Sequence, residues 1–203
     1  MVAKRQSHSS IVPDKCDTAL LLVDLINPLD FPEAPQLLRY TAAMTRKLQR
    51  LKERAHKSSV ATIYVNDNFG RWRSDFRAQV EYCLSPKSRG REIVKELQPQ
   101  EQDYFVLKPK HSGFFASTLE TLLRYLGARR LIITGIAGNF CVLFTANDAY
   151  MRDYELFVPA DCTVSNTEAE NRQALRLMKR YLKADIRPST KIRFRRPQVR
   201  HRD

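Results

Sequence analysis

Metal-ligand spacings are missing from this sequence. The four cysteines, Cys16, Cys83, Cys141 and Cys162, form no CxxC pair, and histidine also numbers four. Neither a zinc cluster nor a disulfide framework is therefore expected. Four unpaired thiols suit a reducing compartment. No apolar run is long enough to cross a bilayer. The opening MVAKRQSHSSIVPDK has no apolar signal-peptide core, so the expected address is cytoplasmic. There is no glycine-rich phosphate loop, dinucleotide fingerprint or internal repeat, and nothing points to a bound nucleotide. The net charge of +13 raises nucleic acid as a partner. But no helix-turn-helix, zinc finger or RNA-binding aromatic motif accompanies it. Much of the excess lies in the head (Lys4, Arg5) and the tail (Lys191, Arg193, Arg195, Arg196, Arg200, Arg202). Such runs are usually solvated or laid against a partner surface. Nucleic acid and membrane are not the expected partners; a small molecule is.

What is present fits one domain. The chain has 203 residues, 43% hydrophobic and 28% charged, which is ordinary for a soluble globular protein. Residues 1–16 are polar and read as a flexible segment, 17–190 as the domain, and 191–203 as a basic tail. Apolar, β-branched-rich runs predict strands at 18–23, 60–65, 104–107, 131–134 and 155–158, with a short sixth at 184–186. Helical spacing of apolar residues predicts helices over 35–57, 90–97, 116–126, 141–153 and 167–182. Pro35 suits a first helical turn, and Gly127 a helix stop. Residues 74–89 show no clear period. Alternating strands and helices imply a three-layer α/β/α, Rossmann-like fold with a parallel sheet of about six strands.

The stretch LIITGIAGNFCVLFTAND, 131–148, carries the strongest chemical signal. A buried strand breaks at Gly135, turns through Ile136-Ala137-Gly138-Asn139, and Cys141 opens a helical pattern. N–H groups at a helix start are unpartnered and the dipole there is positive. A thiol so placed is expected to have its pKa lowered from about 8.5, and the same N–H groups can hold an oxyanion. A buried core cysteine is the competing assignment. Asp24 follows the first strand and Lys108 the third. Open α/β sheets place their sites at such ends, although Asp24 could simply cap the turn at Asn27-Pro28. In a parallel sheet the ends carrying Asp24, Lys108 and Cys141 share one edge, which joins three weak signals. Trp72, Phe114 and Phe140 suggest an apolar wall for a substrate, with Asn27 beside them, and Arg71 or Arg73 could receive a carboxylate. Each of these could instead be packing.

Three motifs then give a resemblance. LLLVDLIN around Asp24, VLKPKHSGFF around Lys108 and TGIAGNFCVLFTANDAY around Cys141 resemble the aspartate, lysine and nucleophile motifs of the isochorismatase-like cysteine hydrolases. The likeness runs from about residue 18 to about residue 186. It implies an Asp24–Lys108–Cys141 triad that hydrolyses a C–N bond of an amide or ureide through a thioester. It further implies an oxyanion hole from the N–H groups of Ala137 and Cys141, a cis peptide between Ile136 and Ala137, and assembly into dimers or tetramers. The motif spacing selects Lys108 rather than Lys110. Two departures stand out: Ile26 replaces a frequent glutamine, and the loop Asn66-Asp67-Asn68 lacks the histidines of the nicotinamidase metal site. No metal and no cofactor are expected. Two other assignments compete: a vinyl ether hydrolase of the isochorismatase type, which has no need of Cys141, and a catalytically idle binding or assembly protein.

Overall fold

The structure, a computed structural model, describes residues 15–70 and 75–194. Six parallel strands form its centre: β1 (Thr18–Val23), β2 (Ala61–Asp67), β3 (Tyr104–Lys108), β4 (Arg130–Ile136), β5 (Glu155–Phe157) and β6 (Thr163–Val164). The order is β3-β2-β1-β4-β5, with β6 pairing β4 beyond the end of β5. The first three strands build outward in one direction and the last three in the other, so the winding reverses between β1 and β4. A crevice opens at such a reversal, beyond the carboxyl ends of the strands.

Six helices cover the sheet: α1 (Ala34–Lys57), α2 (Phe76–Leu84), α3 (Arg91–Glu96), α4 (Leu119–Leu126), α5 (Leu143–Tyr150) and α6 (Glu168–Tyr181). Side chains alternate across each strand. Ala19, Leu21 and Val23 of β1 therefore pack with α4, α5 and α6, while Leu20 and Leu22 pack with α1, α2 and α3. Each fully buried leucine contributes about 1.5–3 kcal/mol relative to exposure, so β1, buried along its whole length, anchors both layers. In α1, Leu37, Met44, Leu48 and Leu51 form the buried stripe. α6 starts at a capping box in which Thr167 and Glu170 satisfy each other's backbone N–H groups.

The three-layer parallel architecture is as expected, and the differences are local. The sixth strand is Thr163–Val164; the segment 184–186 contributes only an isolated bridge from Asp185 to Phe157. β5 is three residues long, too short to offer Asp185 a longer ladder. β4 does not break at Gly135 but passes through it to Ile136, because glycine accepts the φ of 113° there. A Cβ at that position would lie 2.1 Å from the Val23 carbonyl oxygen of the paired strand. α4 begins at Leu119 rather than at 116, since Ala116 sits at φ 47°, outside the helical region, and the Ser117 hydroxyl accepts from the Leu119 N–H. Residues 191–194 lie against α1: Ile192 is buried, and Arg54 donates to its carbonyl and stacks on Phe194. Among the described residues no helix is long and apolar enough to cross a membrane.

Candidate active site

Four strand ends converge in the crevice. Asp24 follows β1 with φ 51°, and its N–H donates to the Val65 carbonyl, which ties the turn to β2. Its carboxylate is almost buried. Oδ1 accepts from the Asp67 N–H at 2.7 Å and Oδ2 lies 2.9 Å from Lys108 Nζ. Lys108 ends β3 and has no exposed surface; its ammonium also lies 3.8 Å from Cys141 Sγ and 3.5 Å from Asp67 Oδ2. Asp24, Lys108 and Cys141, far apart in sequence, are thus gathered around one ammonium. Lys110 is exposed; Pro109 turns the chain outward between the two lysines.

The turn that carries Cys141 differs from a plain helix start. The Ile136–Ala137 peptide is cis. Gly138–Val142 then forms a π-helical turn before α5 begins at Leu143. The N–H groups of Phe140 and Val142 both go to the Ala137 carbonyl, and the bond an α-helix would make there, from Cys141, is absent. The Ala137 N–H has no acceptor among the described residues. Gly138 is hemmed in: a Cβ there would lie 2.3 Å from Asn171 Oδ1. Ser165 Oγ accepts from the Asn139 N–H at 3.0 Å and donates to Asn171 Oδ1, so α6 and β6 brace the turn from behind. Thr145 braces it from the front. Its hydroxyl donates to the Cys141 carbonyl at 2.7 Å and accepts from the Gly113 N–H at 2.9 Å, which locks the lysine loop to the cysteine helix.

Proton affinities follow from burial and neighbouring charge. The Cys141 thiol is pushed well above its usual range, first by burial and then by the Asp24 carboxylate; Lys108 opposes this without winning. The lowered thiol pKa expected from a helix N-terminus is therefore corrected, because position in the sequence showed neither the burial nor the adjacent anion. Burial also raises Asp24, with Lys108 and the neighbouring Cys141 thiol pulling the other way. Lys108, which burial alone would lower, is raised by Asp24, Cys141 and Asp67 together.

The remaining candidates are spread out. Asn27 is nearly buried, with Oδ1 accepting from the Leu29 N–H at 2.9 Å in its own turn. Phe114 is in the core, beside Tyr154 and under the Arg152 guanidinium. Phe140 is half-exposed next to Cys141, 4.1 Å from the His111 ring and 5.5 Å from that of Phe144. Arg71, Trp72 and Arg73 lie outside the described residues. Ile26 is fully buried; its carbonyl accepts from Asn66 at 2.9 Å and from Gln79 at 3.0 Å. Gln79 also donates to the Asp67 carbonyl and so joins the loops after β1 and β2. Neither Gln79 nor Asp67 figures among the expected site residues. Gln79 gave no signal, since 74–89 has no clear period. Asp67 did: it follows a strand, as Asp24, Lys108 and Cys141 do. Among the described residues no group of three or more His, Cys, Asp or Glu could hold a metal ion.

Comparison with known proteins agrees with this geometry. The family model described as Isochorismatase domain matches residues 18–187. The chain is 43% identical over 178 residues to YaaI of Bacillus subtilis, an uncharacterised isochorismatase family protein, covering 88% of this chain and 97% of that one. It is 30% identical over 175 residues to a ureidoacrylate amidohydrolase of Caulobacter vibrioides, covering 74% of this chain and 78% of the relative. The crystal structure of N-carbamoylsarcosine amidase from Thermoplasma acidophilum has the same fold, with a TM-score of 0.66 and 23% identity over 87% of this chain and 99% of that one.

Proposed function

The chain belongs to the isochorismatase family of hydrolases, and from that premise we propose that it hydrolyses a C–N bond of a small amide or ureide through a Cys141 thioester. The observation that carries this reading is the single contact set in which the buried Lys108 Nζ lies 2.9 Å from Asp24 Oδ2 and 3.8 Å from Cys141 Sγ. A carboxylate raised above its usual range is a better proton carrier near neutral pH than a solvated one. The Sγ–H proton passes to Asp24 as sulfur attacks the carbonyl carbon, and the carbonyl electron pair moves to oxygen. The N–H groups of Ala137 and Cys141 receive that oxyanion. Collapse breaks the C–N bond, and the leaving nitrogen takes the proton from Asp24. Water then attacks the thioester, Asp24 takes one of its protons, and the C–S bond breaks as sulfur is reprotonated. Lys108 stays cationic throughout and offsets negative charge on whichever partner holds it.

Kinship to a ureidoacrylate amidohydrolase supports a C–N bond over a vinyl ether, and Cys141 itself does the same. The test is a panel of small amides and ureides, among them ureidoacrylate and N-carbamoylsarcosine, assayed for ammonia release. Cys141→Ala should abolish release, and EDTA should leave the wild type unchanged. Wild-type turnover in Cys141→Ala would overturn the thioester route.

A further inference from the structure

Four strand ends meet around Cys141, and the proton steps use three of them. The fourth, β2, ends at Asp67. Its carboxylate lies 3.5 Å from Lys108 Nζ, and its side chain is 26% exposed, against 6% for Asp24 and none for Lys108. Among the described charged groups in contact with the lysine, Asp67 is the more exposed and the first that an incoming ligand meets. The charge count is simple. One mobile proton is shared between Asp24 and Cys141. Wherever it resides, one of those two is anionic, Lys108 is cationic and Asp67 adds a further negative charge. The described groups therefore keep one net negative charge through proton transfer.

We propose that Asp67 is a specificity-determining residue: its carboxylate keeps the reacting centre net negative, so that the site admits an uncharged acyl group and repels an anion next to the scissile carbonyl. The proposal rests on the amide and ureide reading above and narrows its substrate class. A carboxylate on a more distant, solvated part of the substrate feels less of the repulsion, because the interaction falls with distance and with the effective dielectric. Asp67 has no part in the proton transfers proposed above. The purely structural alternative is that Asp67 only braces its loop, through Oδ1 accepting from the Phe69 N–H at 2.7 Å.

Alkylation of Cys141 separates the two. Iodoacetamide is neutral and iodoacetate anionic; both react with the thiolate, so thiol ionisation cancels from the ratio of their rates. The full chain is treated with each reagent at one pH and low ionic strength, and the Cys141 peptide is followed by mass spectrometry. Asp67→Asn should reduce the preference for iodoacetamide by about five- to tenfold, the size expected for one nearby unit charge at a partly solvated site. Asp67→Glu should keep the preference. In the wild type, added salt should shrink it. A ratio unmoved by Asp67→Asn, an Asp67→Glu variant that behaves like Asp67→Asn, or a wild-type ratio indifferent to salt would overturn the proposal. Alkylation needs no turnover, so a chain that releases no ammonia still reports the ratio, and loss of the amidase reading remains a separate result.

Discussion

β3 has a buried lysine–aspartate pair at either end, and the two behave in opposite ways. At its carboxyl end Lys108 meets Asp24 at 2.9 Å; just before its start Asp103 meets Lys52 of α1 at 2.8 Å. The Lys52 ammonium spends its three protons on Asp103, the Tyr64 hydroxyl at 2.8 Å and the Gln98 carbonyl at 2.9 Å. Asp103 in turn accepts from His56 at 2.7 Å and from the Gln100 N–H at 2.9 Å. Burial would raise Asp103, but the His56 hydrogen bond and the Lys52 charge outweigh it, and its pKa is lowered. At Asp24 burial wins and the pKa is raised. Lys108, whose pKa is raised, has no carbonyl or hydroxyl partner among the described residues; its contacts there beyond Asp24 are a second carboxylate and a thiol, both longer. A completed shell of neutral and charged partners makes a staple. A shell with one place held by a thiol leaves a carboxylate that can still take a proton.

The contrast breaks most visibly at the lysines. Lys108→Ala should lower turnover by at least about a hundredfold, as for loss of a catalytic electrostatic group, and slow Cys141 alkylation at fixed pH. Asp103→Asn should leave that alkylation rate within twofold but destabilise the fold by about 2–3 kcal/mol, since it leaves a buried ammonium facing a neutral amide; urea unfolding measures it. Equal damage to catalysis from both would erase the distinction.

Acid titration sharpens it. Asp103 has a lowered pKa in the fold, so its stabilisation is fully present above the unfolded value of about 3.9 and is lost as pH falls through the folded one. The wild type should therefore lose more stability than Asp103→Asn on going from pH 5 to pH 2. Asp24, raised in the fold, contributes the opposite slope: folding gives up stability as pH climbs through the window between its unfolded and folded values. The smallest effect is expected at Lys110→Ala, which should stay within a fewfold of wild type in turnover.

Much of this was readable in advance where one physical signal dominates. TALLLV and LIIT are apolar runs suited to burial, so β1, the body of β4 and the edge they share were legible, and with them the positions of Asp24, Lys108 and Cys141. α2 was not, because its buried stripe is Phe76, Gln79 and Cys83, and a buried glutamine that bonds two carbonyls looks like a surface residue in a string of letters. β6 was hidden by its length of two residues; its pairing depends on where β5 stops. Thiol acidity was misjudged because helix position is local information, whereas the Asp24 carboxylate comes from a residue 117 places earlier, the difference between positions 141 and 24.

The pairing of β4 with both β1 and β6 at its last residues has a temporal consequence. Gly135 donates its N–H to the Cys162 carbonyl at 2.9 Å and lies in register with Val23 on one side and Thr163 on the other. The cysteine turn is therefore launched from the interior of the sheet, where backbone amides exchange with solvent only through the rarest openings of the molecule. Fraying cannot start there. The Gly135 amide should thus exchange at the rate of global unfolding, and the clock that governs loss of the nucleophile's position is that of the whole domain.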